Sequence, residues 1–262
     1  MSMKSDLAKE IFSGLEEKFP ETESFHRRGN IDIAQIDIKS DELSALLEKP
    51  KGRYITMEAK SITDPSVGSD EEISALAEEI ASLLPPKGTV LVAGIGNVEL
   101  TADSLGARAA DMVMAGTFLE RRLCCLSTGV CGKTGFEAFD MIASAAAMTR
   151  PGAVILIDAL AAEDISHIGR TVQITDTGIR PGSGIGSGKR ELSEKTLGVP
   201  VIAIGVPTVI RFPFTGEKGK EVFVSPNDID ITVKRAARLI ALAVNLAVFP
   251  GLGLETIKEM VF

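Results

Sequence analysis

The chain has 262 residues, 45% of them hydrophobic and 24% charged, with a net charge of -8. That is enough apolar material for one large core, and the acidic balance excludes a general polyanion-binding surface, so nucleic acid is not expected as a direct partner. No apolar run reaches the roughly 18 residues a membrane span needs and MSMKSDLAKEIF has no apolar signal core, so a cytoplasmic protein without a membrane partner is expected.

In chain order, Leu7, Ile11 and Leu15 recur at helical spacing over residues 5–18, and FPETESFHRRGN then breaks the pattern with Pro, Gly and charge. Residues 1–30 therefore read as a helix and linker ahead of a single α/β domain, 31–262. IDIAQIDI (31–38) and RYITMEA (53–59) read as strands around a short helix closed by Pro50 and Gly52, making 31–69 a small β-containing addition. Residues 70–84 form an amphipathic helix with Ile73, Leu76, Ile80, Leu83 and Leu84 facing inward. Then TVLVAG (89–94), RLCCLS (122–127), AVILIDA (153–159) and VPVIAIG (199–205) are short apolar runs, separated by helical stretches around 103–118 and 135–149. Runs without alternation are strands buried on both faces, so the expected fold is α/β, a mostly parallel central sheet flanked by helices on both faces. TVQIT (171–175) adds a strand, and 228–248 a long closing helix.

In an open parallel sheet, ligand groups gather at the carboxyl ends of the strands. The first such loop, GIGNVELTADSLG, turns on Gly94 and Gly96, and Glu99 standing where a third glycine belongs excludes a dinucleotide fingerprint. Asp103 opens the next helix and Asp158 stands at the tip of the strand in ILIDALAAED. Carboxylates at the tips of two strands converge in one crevice, which makes Asp103 and Asp158 candidates for paired acid-base work; helix capping is the competing reading of each. The tripeptide Asp176-Thr177-Gly178 matches the one around the catalytic aspartates of pepsin-like proteases. That motif works as two facing copies in a β-rich fold, whereas this chain has one copy in an α/β pattern, and Asp176 also reads as a brace for the Gly-rich turn.

RPGSGIGSGKR (180–190) has the glycines and the Lys189 of an anion loop, but Ser183 and Arg190 break the P-loop spacing. With only His26 and His167, a zinc-binding HExxH motif is excluded and a Ser-His-Asp triad is poorly supplied. The cysteines fit reduced thiols: Cys124 and Cys125 read as core, while Cys131 alone is placed like a nucleophile, with no histidine at a recognisable spacing. No metal or cofactor is expected.

Taken in order, GIGNVELTADSLG, STGVCGKTGFE, ILIDALAA, QITDTGIRPGSGIGSGKRELSEKTLGVPVIAIGVPTVI and FVSPNDID resemble the spore germination proteases over about residues 31–248, most strongly over 153–209. The resemblance implies a sheet similar to hydrogenase-maturation peptidases and phosphorylase-like hydrolases, and an atypical aspartic endopeptidase whose catalytic pair falls on Asp103 and Asp158. It implies, as substrate, small acid-soluble spore proteins degraded during germination in the spore core or forespore and cut at an acidic recognition sequence, and a homo-oligomer, a tetramer. The Asp-Thr-Gly likeness to pepsin is then coincidental.

On this reading one carboxylate is ionised and deprotonates water while the other is protonated and polarises the scissile carbonyl, the pair titrating jointly without an assignment of roles. Backbone N–H groups of Gly94 to Asn97 or of Gly182 to Gly186 are candidate oxyanion donors. Asn97, Asp176, Arg180, Gly182, Ser183, Lys189 and Arg190 are candidate substrate-binding residues, the three cations meeting substrate carboxylates; an ordinary solvated loop is their competing reading. The chain departs from the family in several places: no pro-segment motif is found before Ile31, and the stretch from Thr117 to Cys131 is short. Glu163 and Asp164 add negative charge where the family usually carries Arg, Arg180 stands for a common His, and Cys131 for a common Met. Two other readings stand beside this one, a non-proteolytic hydrolase or phosphorylase and a catalytically silent relative that binds spore proteins.

Overall fold

The computed structural model describes residues 5–15, 19, 22–181, 190–213 and 221–261. The strands are β1 (Glu23–Arg28), β2 (Ile31–Ile38), β3 (Gly52–Glu58), β4 (Gly88–Gly94), β5 (Gly116–Phe118), β6 (Arg121–Ser127), β7 (Ala153–Ala162), β8 (Thr171–Thr175), β9 (Val201–Pro213) and β10 (Glu221–Val224). The helices are α1 (Ala8–Ser13), α2 (Asp41–Leu47), α3 (Asp70–Leu83), α4 (Leu105–Ala110), α5 (Cys131–Thr134), α6 (Ala138–Thr149), α7 (Glu194–Leu197), α8 (Ile229–Val248) and α9 (Leu254–Val261). All ten strands join one sheet in the order β1-β2-β3-β8-β9-β7-β4-β6-β5, with β10 also on β9.

The four strands read as buried apolar runs, β4, β6, β7 and β9, lie side by side and parallel. The other six of the nine pairings are antiparallel, so the sheet is mixed rather than mostly parallel. An apolar run reports burial on both faces and says nothing of direction; β8 sits between β3 and β9, is buried along its whole length, and runs antiparallel to both.

Helices cover both faces. On one face α3, α4 and α8 pack Ile73, Leu76, Leu105, Ile240 and Val244 onto Val90, Val92, Ile155 and Ile204. On the other, Ile142 and Ala146 of α6 meet Leu91, Ala93, Val154 and Leu156. Alternate residues of β4 and β7 thus serve opposite cores, which is why neither strand alternates with polar residues. At the antiparallel end, α1 and α2 cover Ile36, Ile38 and Tyr54.

The segment read as a linker contains β1, which pairs along its whole length with β2. Its sequence, ESFHRR, looks like a loop because the strand lies at the sheet's edge and is largely exposed. The helix expected over 103–118 stops at Ala110, and β5 takes the end of that stretch.

Candidate active site

Asp103 lies in the turn that follows β4, and Asp158 lies on the neighbouring strand β7. The last β4–β7 pair is Gly94 with Ile157, and the Ile95 N–H still donates to the Ile157 carbonyl at 2.9 Å, so the loop after β4 leaves the sheet beside Asp158. That loop turns back on Gly96, whose φ of +118° a side chain rarely adopts and where a Cβ would lie 2.0 Å from the carbonyl oxygen of Asp103. Glycine there is required for the Thr101–Asp103 turn to fold onto its own entry. The Asp103 carboxylate accepts the Asn97 N–H at 2.8 Å, fixing it to the loop. The expected helix opening lies two residues on, since α4 starts at Leu105 with Ser104 in the cap position.

Asp158 is not at a strand tip. β7 continues to Ala162, and Asp158 lies inside it, opposite Gly205 of β9, 8% exposed, with its Oδ1 accepting the Ala159 N–H at 2.9 Å. Both carboxylates line one cavity of about 880 Å³ at the carboxyl ends of β4 and β7.

Arg180 and Arg190 also line this cavity. Arg180 is paired with Glu191 at 3.4 Å. Arg190 contacts Glu137 and Asp140 at 3.3 and 2.5 Å and lies over the Phe139 ring; hydrogen bonding to Asp140 first, and to Glu137, holds its guanidinium above its usual pKa. A substrate carboxylate would have to share these cations with the protein's own acids.

Asn97 and Asp176 are not among the cavity's lining residues. Asn97 holds Asp103 through its N–H and accepts from Glu99 N–H through its side chain. Asp176 accepts the Arg53 N–H at 2.7 Å and locks the start of β3 to the end of β8, rather than bracing the Gly-rich turn, whose residues 182–189 lie outside the described ones. Within the first group of candidate oxyanion donors, Gly94 to Asn97, the Ile95 N–H is engaged by Ile157 and that of Asn97 by Asp103. Gly182, Ser183 and Lys189, with the donors from Gly182 to Gly186, lie outside the described residues.

His167 meets Thr171 and His26 meets Glu79, neither arranged around a nucleophile. Cys131 is exposed at the cavity wall. Burial, with smaller contributions from Asp111 and Cys124, pushes the Cys125 thiol up to about 12, which makes it inert. Asp164 caps the turn after β7 by accepting the Ser166 N–H at 2.8 Å, so its charge is spent locally. Among the described residues no group of three or more His, Cys, Asp or Glu side chains is placed to hold a metal ion, and no helix is long and apolar enough to cross a membrane.

A family model described as germination protease matches residues 12–215. The chain belongs to the germination protease family. The germination protease of Clostridium tetani is 31% identical over an alignment of 320 positions covering 99% of each chain. That of Bacillus subtilis is 39% identical over 209 residues, 73% of this chain and 56% of the relative. Among solved structures, a nickel-iron hydrogenase maturation protease from Thermococcus kodakarensis aligns with 63% of this chain and 98% of its own at 19% identity and a TM-score of 0.40. Membership in the germination protease family supports a peptidase acting in spores.

The cavity of this family member has a second, polar end that the sequence reading did not single out. Lys49, Tyr54, Gln173, Thr175 and Thr177 line it. Burial holds the Lys49 ammonium below its usual pKa, opposed by the Asp6 and Glu48 carboxylates. Lys49 follows α2 in a charged stretch and carries no local signal. Gln173 had one: in TVQIT, Val172 and Ile174 alternate with Thr171, Gln173 and Thr175, and all five are buried, so one face of a buried strand is polar.

Proposed function

We propose that the chain is an endopeptidase that cuts small acid-soluble spore proteins, with water activated between Asp103 and Asp158. The observation that carries this reading is the convergence of both carboxylates on one cavity large enough for a stretch of polypeptide. One carboxylate, ionised, takes a proton from water as the oxygen attacks the scissile carbonyl carbon. The other, protonated, donates to the carbonyl oxygen as negative charge develops there; the proton gained by the first passes to the leaving amine as the C–N bond breaks, and the second recovers its proton as the carbonyl re-forms. Two like charges in one crevice favour a shared proton, which supplies acid and base from identical side chains. The pair titrates as a unit, so neither role belongs to one residue. The rim arginines, Arg180 and Arg190, suit a substrate cut at acidic sequence. The same reading places the enzyme in the spore core or forespore as a homotetramer, a state that light scattering of the full chain reads directly.

The test is cleavage of a purified small acid-soluble spore protein, followed by gel and mass spectrometry, with Asp103→Asn, Asp158→Asn and Asp176→Asn compared after each is shown to fold. Loss of about 10²- to 10⁴-fold is expected for the first two and little loss for the third. No cleavage by the unaltered chain, or a dead Asp176→Asn beside active Asp103→Asn, overturns the reading.

A further inference from the structure

β7 outruns β4 by five residues. Up to Ile157 its edge is paired with β4; from Asp158 to Ala162 no strand pairs with that edge among the described residues. Along a strand, alternate residues present both main-chain groups to the same edge, and since the Ile157 carbonyl accepts from Ile95, the next in phase are Ala159 and Ala161. An open strand edge beside a reacting carboxylate is a template for an extended peptide.

One stretch of the chain sits on it. The Asp6 N–H donates to the Ala161 carbonyl at 2.9 Å, and the Ala161 N–H donates back to the Asp6 carboxylate at 2.8 Å. The Gln173 amide grips the main chain on either side of Leu7: its Nε2 donates to the Asp6 carbonyl at 3.0 Å and its Oε1 accepts the Ala8 N–H at 2.8 Å. Leu7 has extended backbone angles and is fully buried among Leu160, Ala162, Ile168 and Ile210. A buried glutamine with both ends of its amide on one peptide segment reads backbone, not sequence, while the adjoining pocket reads a side chain. Gln173 also lines the cavity that holds Asp103 and Asp158, and Ala161 follows Asp158 by three residues, about 10 Å of extended strand.

We propose that Gln173 and the edge of β7 at Ala161, on which no strand pairs among the described residues, form the backbone clamp for a polypeptide substrate, and that the pocket filled by Leu7 is a subsite for one large aliphatic side chain of that substrate. The proposal rests on the proteolytic reading of the cavity. Segment Ser5–Leu7, ahead of α1, occupies the seat with Leu7 extended, and a substrate entering it continues along β7 toward Asp158.

The test loosens the resident segment without touching the seat. Leu7→Gly empties the pocket; Ala8→Pro, at the first position of α1 where proline is tolerated, removes the N–H that Gln173 accepts and serves as a second background. In each full-length background, binding of fluorescent acetyl-Ser-Asp-Leu-Ala-Lys-Glu-amide is followed by anisotropy, and cleavage of a small acid-soluble spore protein by steady-state kinetics, with and without Gln173→Leu. Expected are peptide affinity weaker by about tenfold on Gln173→Leu, and by about tenfold when the peptide's Leu is replaced by Gly, with KM raised about tenfold and kcat within about twofold. Unchanged peptide affinity and KM in Gln173→Leu, a fall in kcat alone, or no peptide binding in either background overturns the clamp. If no form cuts the spore protein, the proteolytic reading fails, and the anisotropy still decides whether Gln173 holds a peptide.

Discussion

Tyr54 is the chain's single tyrosine, and there is no tryptophan, so phenolate absorbance reports one site on the floor of the cavity. The ring is 3% exposed; its hydroxyl donates to the Pro50 carbonyl at 3.0 Å and accepts from Thr177 at 3.2 Å. Burial is the main cause that pushes its pKa up to about 12 from 10.0. A raised folded-state pKa means the neutral phenol is favoured by folding. Its stabilisation, about 2–3 kcal/mol, is fully present below pH 10 and is lost as the pH rises toward 12. The phenolate band of the folded protein should therefore appear near pH 12, and near 10 in denaturant; a folded-state midpoint near 10 would show that water reaches the ring. Tyr54→Phe should cost about 1 kcal/mol at neutral pH through the unpaired Pro50 carbonyl, and flatten the loss of stability between pH 10 and 12. At this scale the acids were legible and the cavity's polar floor was not. Asp103 and Asp158 stand out because each comes after an apolar run in the sequence, whereas Tyr54, with Lys49 just before its strand, meets Gln173 only through pairing of β3 with β8, across more than a hundred residues of chain.

Among elements, the contact that positions the site is α4 on the ends of β4 and β7. A Cβ on Gly106 would lie 2.2 Å from the Ile157 carbonyl oxygen and 2.3 Å from that of Ile95, and one on Gly94 would lie 2.1 Å from the Gly106 oxygen. Helix and sheet thus meet backbone to backbone, and the turn carrying Asp103 is held beside the strand carrying Asp158. In a free helix Gly106→Ala is favourable, but these neighbours are main chain and cannot swing aside, so α4 must shift. A loss of about 1–3 kcal/mol is expected, with reduced cleavage as Asp103 moves with the helix. Gly116→Ala in β5 is the control, since a Cβ there meets nothing within 4 Å. Equal melting temperatures for the two variants would sink the argument. The buried strands and long helices were readable because each is long enough to show its period. β5 and β10, of three and four residues, are too short to show one, and β1 hides its pairing because it lies at an edge. Strand direction was illegible for a different reason: it depends on the connections, not on burial.

For the whole molecule, the question is how the antiparallel end is tied to the parallel core. The sheet is continuous, but the β1–β2 hairpin has a second attachment, to α3. Glu79, 3% exposed on that helix, accepts from Arg28 at 2.7 Å and pairs with His26 at 2.8 Å, and Asn30 reaches Glu71 at 3.1 Å. Hydrogen bonding to Glu79 is the main cause that holds the Arg28 guanidinium above its usual pKa. A buried carboxylate held by a guanidinium and an imidazole contributes little net stability against an apolar alternative, but it fixes which surfaces meet. Glu79→Ala leaves α3 a good helix, and both partner side chains, each about a third exposed, can take up water. The expected cost is therefore local and about 1 kcal/mol, small after discounting for solvent screening. Hydrogen exchange should show faster exchange of the β1 and β2 amides while those of β4 and β7 keep their protection, because the apolar clusters around the parallel strands are untouched. If protection in β4 and β7 falls by the same factor as in β1 and β2, the hairpin and the core open as one unit, and the Glu79 link is part of a single global transition rather than the seam between two.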